Sequence, residues 1–147
     1  MPNAQNLFTN EEKDLIKKAI INAELDTSGE IRVHIENYCK EDVLDRAAYI
    51  FDKLNMDRTE QRNGVLFYLA VKDHKFAIIG DAGINQVVEE DFWKEIKELM
   101  SQHFKKNEFA DGLAEGIAMA GQKLKKNFPF HRDDINELSD EISFGKI

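Results

Sequence analysis

Residues 80–85, Gly-Asp-Ala-Gly-Ile-Asn, combine the residue types best suited to chemistry in this chain. Asp81 lies between two glycines, and the amide of Asn85 follows the second glycine two residues later. Glycine permits a tight turn and a close approach to a ligand, while carboxylate and carbonyl oxygens are the ligands that Ca²⁺ and Mg²⁺ require. Counted from Asp81, the segment lacks the residues that an EF-hand needs at its third, sixth and twelfth positions. It therefore indicates either a different hard-cation loop or a plain turn from a strand into a helix.

Further acidic residues stand close to this segment or start an earlier strand. Glu89, Glu90 and Asp91 stand where the next helix is predicted to begin, and Glu30 opens a strand pattern. Acids at a helix N-terminus also stabilise the helix through its dipole, so these acids do not by themselves require a ligand. We include them with Asp81 and Asn85 as candidate cation ligands, which gives the set Asp81, Glu30, Asn85, Glu89, Glu90 and Asp91.

Other residue types with catalytic potential do not form a recognisable site in the sequence. The histidines show no metal-ligand spacing to one another or to Cys39, and His34 lies too far along its strand to be the base of that thiol. A phosphate loop, a dinucleotide fingerprint and a nucleophile elbow are all missing from the sequence. Oxygen ligands for a hard cation are the chemistry that the residues favour.

Periodicity predicts the elements that position these residues. Helical spacing predicts four helices, at residues 9–27, about 41–54, about 90–104 and 109–127. The first of them starts with a capping box from Thr9 to Glu12. Strand patterns are alternating at 30–36, nearly uniformly apolar at 64–71, and hairpin-like at 76–80. We predict one domain over residues 1–147, with a core at about 9–129 and a loosely held polar tail at 130–147.

The uniformly apolar strand predicts the fold class, because such a strand is usually buried on both faces. The prediction is an α/β fold, a three-layer α-β-α sandwich in which a small mixed sheet has helices on both faces. A right-handed crossover makes the first two strands parallel, and the hairpin makes the third antiparallel to the second. These directions bring the starts of the first two strands and the end of the third to one edge of the sheet. The residues predicted to line that edge are Ser28, Gly29, Glu30, Arg62, Asn63, Gly64, Gly80, Asp81 and Gly83.

Composition excludes several classes of partner. The chain has 147 residues, 20 Lys and Arg against 28 Asp and Glu, and a formal net charge of -8. That balance argues against nucleic acid and against an anionic membrane surface. The single cysteine forms no internal disulfide, and neither a secretion signal nor a spanning segment is recognisable. We expect a soluble, cytoplasmic monomer without direct membrane insertion.

The order of three motifs resembles the TPM domain family. These are residues 27–33 (Thr-Ser-Gly-Glu-Ile-Arg-Val), 62–68 (Arg-Asn-Gly-Val-Leu-Phe-Tyr) and 79–85 (Ile-Gly-Asp-Ala-Gly-Ile-Asn). The resemblance extends from about residue 9 to residue 129. It implies a mixed sheet sandwiched by helices, divalent-cation binding by acidic loops at one end of the sheet, and, for some members, phosphatase activity. It places Asp81 in the family's glycine-acid-glycine loop, Ser28, Gly29 and Glu30 in its first-strand motif, and Asn63 and Gly64 in its second-strand motif.

Three functions are compatible with these observations. The first is a non-catalytic module that binds Ca²⁺ or Mg²⁺ and an unidentified protein partner. The second is a metal-assisted, acid-phosphatase-like hydrolase, for which the sequence offers no dedicated nucleophile and Arg62 as the single phosphate clamp near the edge. The third is an interaction scaffold without a ligand. We rank them in that order.

Overall fold

The structure, a computed structural model, describes residues 7–131 and 137–147. Over these residues the strands form one open sheet in the order β3-β2-β1-β4. β1 is parallel to β2 and to the short β4, whereas β2 and β3 are antiparallel. The predicted directions of the first three strands are thus confirmed. The strands are β1 Glu30–Glu36, β2 Gly64–Ala70, β3 Lys75–Gly80 and β4 Ser143–Phe144.

Helices lie on both faces of this sheet, which confirms the predicted three-layer α/β fold. Apolar side chains of α1, α4 and α5 join the larger core on one face, and those of α2 join a smaller core on the other. No helix within residues 7–131 or 137–147 has the length and apolar character needed to span a membrane. The helices are α1 Asn10–Asp26, α2 Val43–Lys53, α3 Ala82–Asn85, α4 Lys94–Lys105 and α5 Phe109–Leu124, with a 3₁₀ turn at Met56–Arg58.

Strand alternation separates the two cores. Ile31, Val33 and Ile35 of β1 face α1 and α5, whereas Leu66 and Tyr68 of β2 face α2. Every residue of β2 is buried, as expected for a strand with helices over both faces. The start of α1 also follows its sequence signal, because Thr9 Oγ1 accepts a hydrogen bond from the Glu12 amide at 3.1 Å and Glu12 Oε1 accepts one from the Thr9 amide at 3.0 Å.

The segment between β3 and α4 differs from the prediction. A short helix, α3, follows Asp81 directly, and the Asp81 carboxylate accepts a hydrogen bond from the Ala82 amide at its start. Residues 90–93 form turns, so α4 begins at Lys94 and not near residue 90. The predicted helix was extended too far because Phe92 and Trp93 continue its apolar stripe, although they pack against the core from a turn.

The C-terminal segment, which we define as residues 137–147, is more closely attached than the polar composition predicted. Its strand β4 pairs with β1 at His34 and Ile35. The imidazole of His34 contacts Ser143 Oγ at 2.8 Å through Nδ1 and the Gly145 carbonyl oxygen at 2.9 Å through Nε2. The C-terminal segment therefore helps to bury Glu30 and His34 on the polar face of β1, whereas Glu36 is buried against Arg46 and Tyr68.

Candidate functional site

Three chain segments meet at one edge of the sheet, as the predicted topology requires. The Glu30 amide donates to the Asn63 carbonyl oxygen at 3.2 Å, and the Asp81 amide donates to the Gly64 carbonyl oxygen at 2.9 Å. The Asn63 side chain adds a link, because its Nδ2 donates to the Ser28 carbonyl oxygen at 3.2 Å. We call this region the Asp81 edge, and it contains residues 28–30, 62–64 and 80–83.

Asp81 is the chemically distinctive residue of the Asp81 edge. Its carboxylate accepts two hydrogen bonds from Arg62, from Nε to Oδ2 at 2.8 Å and from Nη2 to Oδ1 at 2.9 Å. Oδ1 also accepts the Ala82 amide at 2.7 Å, so Asp81 is the N-cap of α3. The Asp81 side chain is 5% exposed and that of Arg62 is 49% exposed. A buried carboxylate is thus neutralised by a guanidinium that remains in contact with solvent.

The backbone around Arg62 holds this pair in place. Arg62 has a φ of 52°, a left-handed conformation that costs a non-glycine residue on the order of 1 kcal/mol or more. Its carbonyl oxygen accepts the Gly83 amide at 2.9 Å, which joins the segment before β2 to α3. The nearby carboxylate also raises the pKa of Arg62 through hydrogen bonding and charge, so the guanidinium stays protonated.

Gly83 is needed at this junction because of a close approach between two backbones. A Cβ placed on Gly83 would lie 2.2 Å from the Gln61 carbonyl oxygen and 2.6 Å from that of Arg62. Both contacts are with main-chain atoms, which have little freedom to move. The second glycine of the segment thus serves packing between loops.

Glu30 and Asn85 use their side chains within the fold. The Glu30 carboxylate accepts the Leu138 amide at 2.8 Å and also the Glu137 amide, so it faces the C-terminal segment. Burial raises the pKa of Glu30 to about 7, against the opposing effect of these amide hydrogen bonds. Asn85 donates from Nδ2 to the Gly80 carbonyl oxygen at 2.9 Å, which closes the turn of α3.

The acids at 89–91 lie on the exposed segment before α4. Glu89 and Asp91 line a groove with Lys94, Glu98 and Lys123 of the α4 and α5 layer. Within residues 7–131 and 137–147, no three His, Cys, Asp or Glu side chains are arranged to hold a metal ion. The structure therefore brings together Asp81, Arg62 and the backbone of the edge, but not the full set of predicted acidic ligands.

A second polar cluster was not found by sequence reasoning. Glu36 at the end of β1 accepts two hydrogen bonds from Arg46 of α2, at 2.7 Å from Nε and 2.8 Å from Nη2, and one from the Tyr68 hydroxyl. Burial favours a higher pKa for Glu36, but the hydrogen bonds from Arg46 and Tyr68 prevail and lower it. The signal available in the sequence was the charged side of β1, which must be buried if helices cover both faces of the sheet.

Comparison with known proteins gives a family and a fold. The family model of the TPM domain matches residues 3–123. The BA42 protein from the psychrophilic bacterium Bizionia argentinensis, solved by NMR, is 49% identical, with a TM-score of 0.89, and the match covers 94% of this chain and 95% of that one. No protein of curated function matches the sequence.

Two more distant NMR structures share the fold alone. The N-terminal domain of a P. gingivalis protein is 17% identical, with a TM-score of 0.71 over 86% of this chain and 82% of that one. The N-terminal domain of the cg2496 protein from Corynebacterium glutamicum is 11% identical, with a TM-score of 0.61 over 95% of this chain and 80% of that one.

Proposed function

The chain belongs to the TPM domain family, and from that premise we propose that it is a divalent-cation-binding module in which Ca²⁺ or Mg²⁺ exchanges with the Arg62 guanidinium at Asp81. The observation that carries the proposal is the contrast in exposure within the Arg62–Asp81 pair. The carboxylate is 5% exposed and fixed at the start of α3, whereas the guanidinium is 49% exposed.

Electrostatics favours a cation that takes the place of the Arg62 guanidinium at Asp81 over a cation that binds beside it. A buried carboxylate needs a positive partner, because an unpaired buried charge costs several kcal/mol. Arg62 supplies one positive charge and can swing into water, where its guanidinium is well solvated. A divalent cation supplies two charges at the same carboxylate and would leave Asp81 paired throughout.

The residues at the Asp81 edge fit a cation only in part. Ca²⁺ takes six to eight oxygen ligands, and Asp81 supplies at most two of them. Without an acidic cluster among the described residues, the remaining ligands would be backbone carbonyl oxygens, the Asn85 amide oxygen and water. Sites with few charged ligands bind Ca²⁺ weakly, with Kd on the order of 10⁻⁴ to 10⁻³ M. We therefore propose a millimolar site.

The test is thermal unfolding with chelator and with 10 mM Ca²⁺ or Mg²⁺. A site filled to ten times its Kd stabilises the fold by about 1.4 kcal/mol. We expect a small increase in Tm for the unmodified protein and a larger one for Arg62→Gln, because that variant lacks the competing guanidinium. We expect no increase for Asp81→Asn. Arg58→Gln is the matched control, since it removes an exposed arginine that precedes the same loop.

Two results would contradict the exchange. Equal cation shifts in Arg58→Gln and Arg62→Gln would assign the effect to net charge. No shift in any variant would mean that the Arg62–Asp81 pair is structural, and an interaction scaffold without a ligand would then be the better function. We also propose that the protein is a monomer and acts through a protein partner.

Hydrolysis is not part of the proposal, because the sequence offers no dedicated nucleophile and the described residues include no group of three acidic, histidine or cysteine side chains that could hold a catalytic metal ion. Asp81 accepts from Arg62 through both oxygens in the structure, and once a cation has displaced Arg62 the carboxylate would be a cation ligand and not a free base. We expect no cation-dependent hydrolysis of p-nitrophenyl phosphate above that of Asp81→Asn. If the unmodified protein shows cation-dependent turnover and Asp81→Asn removes it, a metal-assisted phosphatase would be the better function than a binding module.

A further inference from the structure

The end of β1 opposite to the Asp81 edge opens into a cavity of about 550 Å³. A cavity of this size can enclose a small organic molecule. It lies beyond the carboxyl end of a parallel strand, the position where open α/β sheets commonly bind ligands. The residues on its wall that matter here are Glu36, Tyr38, Cys39, Lys40, Arg46 and Lys146.

The floor of this cavity is a fixed polar pair. The side chains of Arg46 and Glu36 are 12% and 4% exposed, and they share two hydrogen bonds of 2.7 and 2.8 Å. The Tyr68 hydroxyl also donates to Glu36. The hydrogen bonds that Arg46 makes to Glu36 leave from Nε and Nη2, so they do not use the N–H groups of Nη1. Held by Glu36, they are pre-organised donors.

The rim of the cavity is cationic. Lys40 and Lys146 are both exposed and line the cavity, one after β1 and the other after β4. The charges of Glu36 and Arg46 cancel each other, and the negative charge of Glu41 balances the positive charge of one of the two lysines. The wall thus has a surplus of positive charge, although the whole chain has a net charge of -8. A local surplus of this kind favours a ligand with a negative charge.

The rest of the wall can hold an apolar group. Tyr38 is 53% exposed, and the Nζ of Lys72 lies 5.3 Å from the centroid of its ring. Cys39 is buried beneath the rim, where its thiol donates to the Glu41 carbonyl oxygen at 3.3 Å. The hydrocarbon stems of the two rim lysines add further apolar surface. A ring could lie against Tyr38 while its charged group meets the cations.

We propose that this cavity is a binding site for a small organic anion with an aromatic or other compact apolar body, of the aryl-carboxylate class. The proposal is independent of the cation site, because the two regions lie at opposite ends of β1. Arg46 and the two lysines recognise the anionic group, and Tyr38 with Cys39 accommodates the body.

The test is an NMR titration of the ¹⁵N-labelled protein with phenylacetate as the probe. We expect saturable shifts at the amides of residues 36–41 and 145–146, with Kd in the millimolar range. Phenylacetamide lacks the charge and acetate lacks the ring, so each should bind at least tenfold more weakly. The double variant Lys40→Glu with Lys146→Glu should also weaken phenylacetate binding at least tenfold, and Tyr38→Ala should weaken it several-fold.

The control is the double variant Lys105→Glu with Lys125→Glu, which makes the same change in net charge at exposed positions away from the cavity. It should retain binding. The proposal is wrong if phenylacetate gives no saturable shifts up to 20 mM, if the shifts fall outside the cavity, or if both double variants lose affinity equally. All of the substituted side chains are exposed, so loss of folding does not confuse the result, and the ¹⁵N spectrum checks it directly.

Discussion

At the residue scale, Gly83 shows why two segments of the chain can meet beside Asp81. Its α-carbon lies against the carbonyl groups of Gln61 and Arg62, where a methyl group would be 2.2 and 2.6 Å from the two oxygens. Relief would require one of the two backbones to move. The Arg62–Asp81 pair depends on the same approach, because the Gly83 amide donates to the Arg62 carbonyl oxygen.

Gly83→Ala should therefore lower the free energy of unfolding by about 1–3 kcal/mol, the usual cost of forcing extra volume into a packed site. Urea denaturation followed by circular dichroism measures it. Gly29→Ala is the matched control, because its added methyl group would meet a flexible Leu124 side chain no closer than 3.3 Å. The control should change stability by less than about 1 kcal/mol. Equal losses in both variants would contradict the close-approach explanation.

Asp81 illustrates how one residue can meet a structural and a chemical requirement together. It caps α3 through the Ala82 amide, and the same carboxylate holds Arg62. The acids at 89–91 were grouped with it in the sequence prediction, but they lie on an exposed turn beside α4. The described residues include no group of three acidic, histidine or cysteine side chains that could hold a metal ion, so these acids do not complete such a site with Asp81.

At the scale of elements, the C-terminal segment completes the sheet. Without β4, β1 would be an edge strand with unpaired backbone groups at its outer side. The segment also covers Glu30 and His34, which would otherwise open to solvent, and packs Ile142 and Phe144 against the larger core. Its role therefore combines edge protection with burial of polar side chains.

A chain that ends at residue 136 should lose several degrees of Tm and self-associate through the outer edge of β1. Sedimentation velocity over a range of concentrations measures the association, and Tm measures the loss of packing. A chain that ends at residue 145 keeps β4 and is the control. If the chain ending at 136 stays monomeric with an unchanged Tm, the segment contributes neither edge protection nor stability.

At the scale of the whole molecule, the half-buried carboxyl group of Glu24 links the free energy of unfolding to pH. Glu24 of α1 accepts the Ile31 amide at 3.1 Å, and burial, together with a hydrogen bond to Asp140, raises its pKa to about 9 from a reference value of 4.5. The folded protein thus keeps a proton on Glu24 that the unfolded chain has lost above about pH 5. Because the folded state binds the extra proton, stability falls as pH rises and this proton is released.

We expect Tm to fall by roughly 5 °C between pH 7 and 9, and Glu24→Gln to reduce that fall, because its side chain stays neutral while keeping an acceptor for the Ile31 amide. Burial is the main cause of a lowered pKa for His34, so its titration changes stability below pH 6.5 and not between pH 7 and 9. Glu11→Gln, on the exposed side of α1, is the control and should keep the full pH dependence. Parallel curves for Glu24→Gln and the unmodified protein would contradict the assignment.

The sequence by itself was sufficient for the larger elements and their directions. The capping box at Thr9, the alternation of β1 and the apolar run of β2 are local patterns, and each follows from the period of its own backbone. The handedness of the β1–α2–β2 crossover and the short connection before β3 then determined which segments share an edge. The meeting of residues 28–30, 62–64 and 80–81 was predictable for that reason.

The tertiary structure alone decided the partners of the charged side chains. Arg62 and Asp81 are 19 residues apart, and His34 and Ser143 are 109 residues apart. No local period relates such pairs, since their contact depends on how loops and the C-terminal segment pack after the sheet has formed. The same reason explains why the buried Glu36–Arg46 pair and its cavity were not visible in the sequence. A charged residue on a strand lines a site only when an element from elsewhere in the chain packs over it.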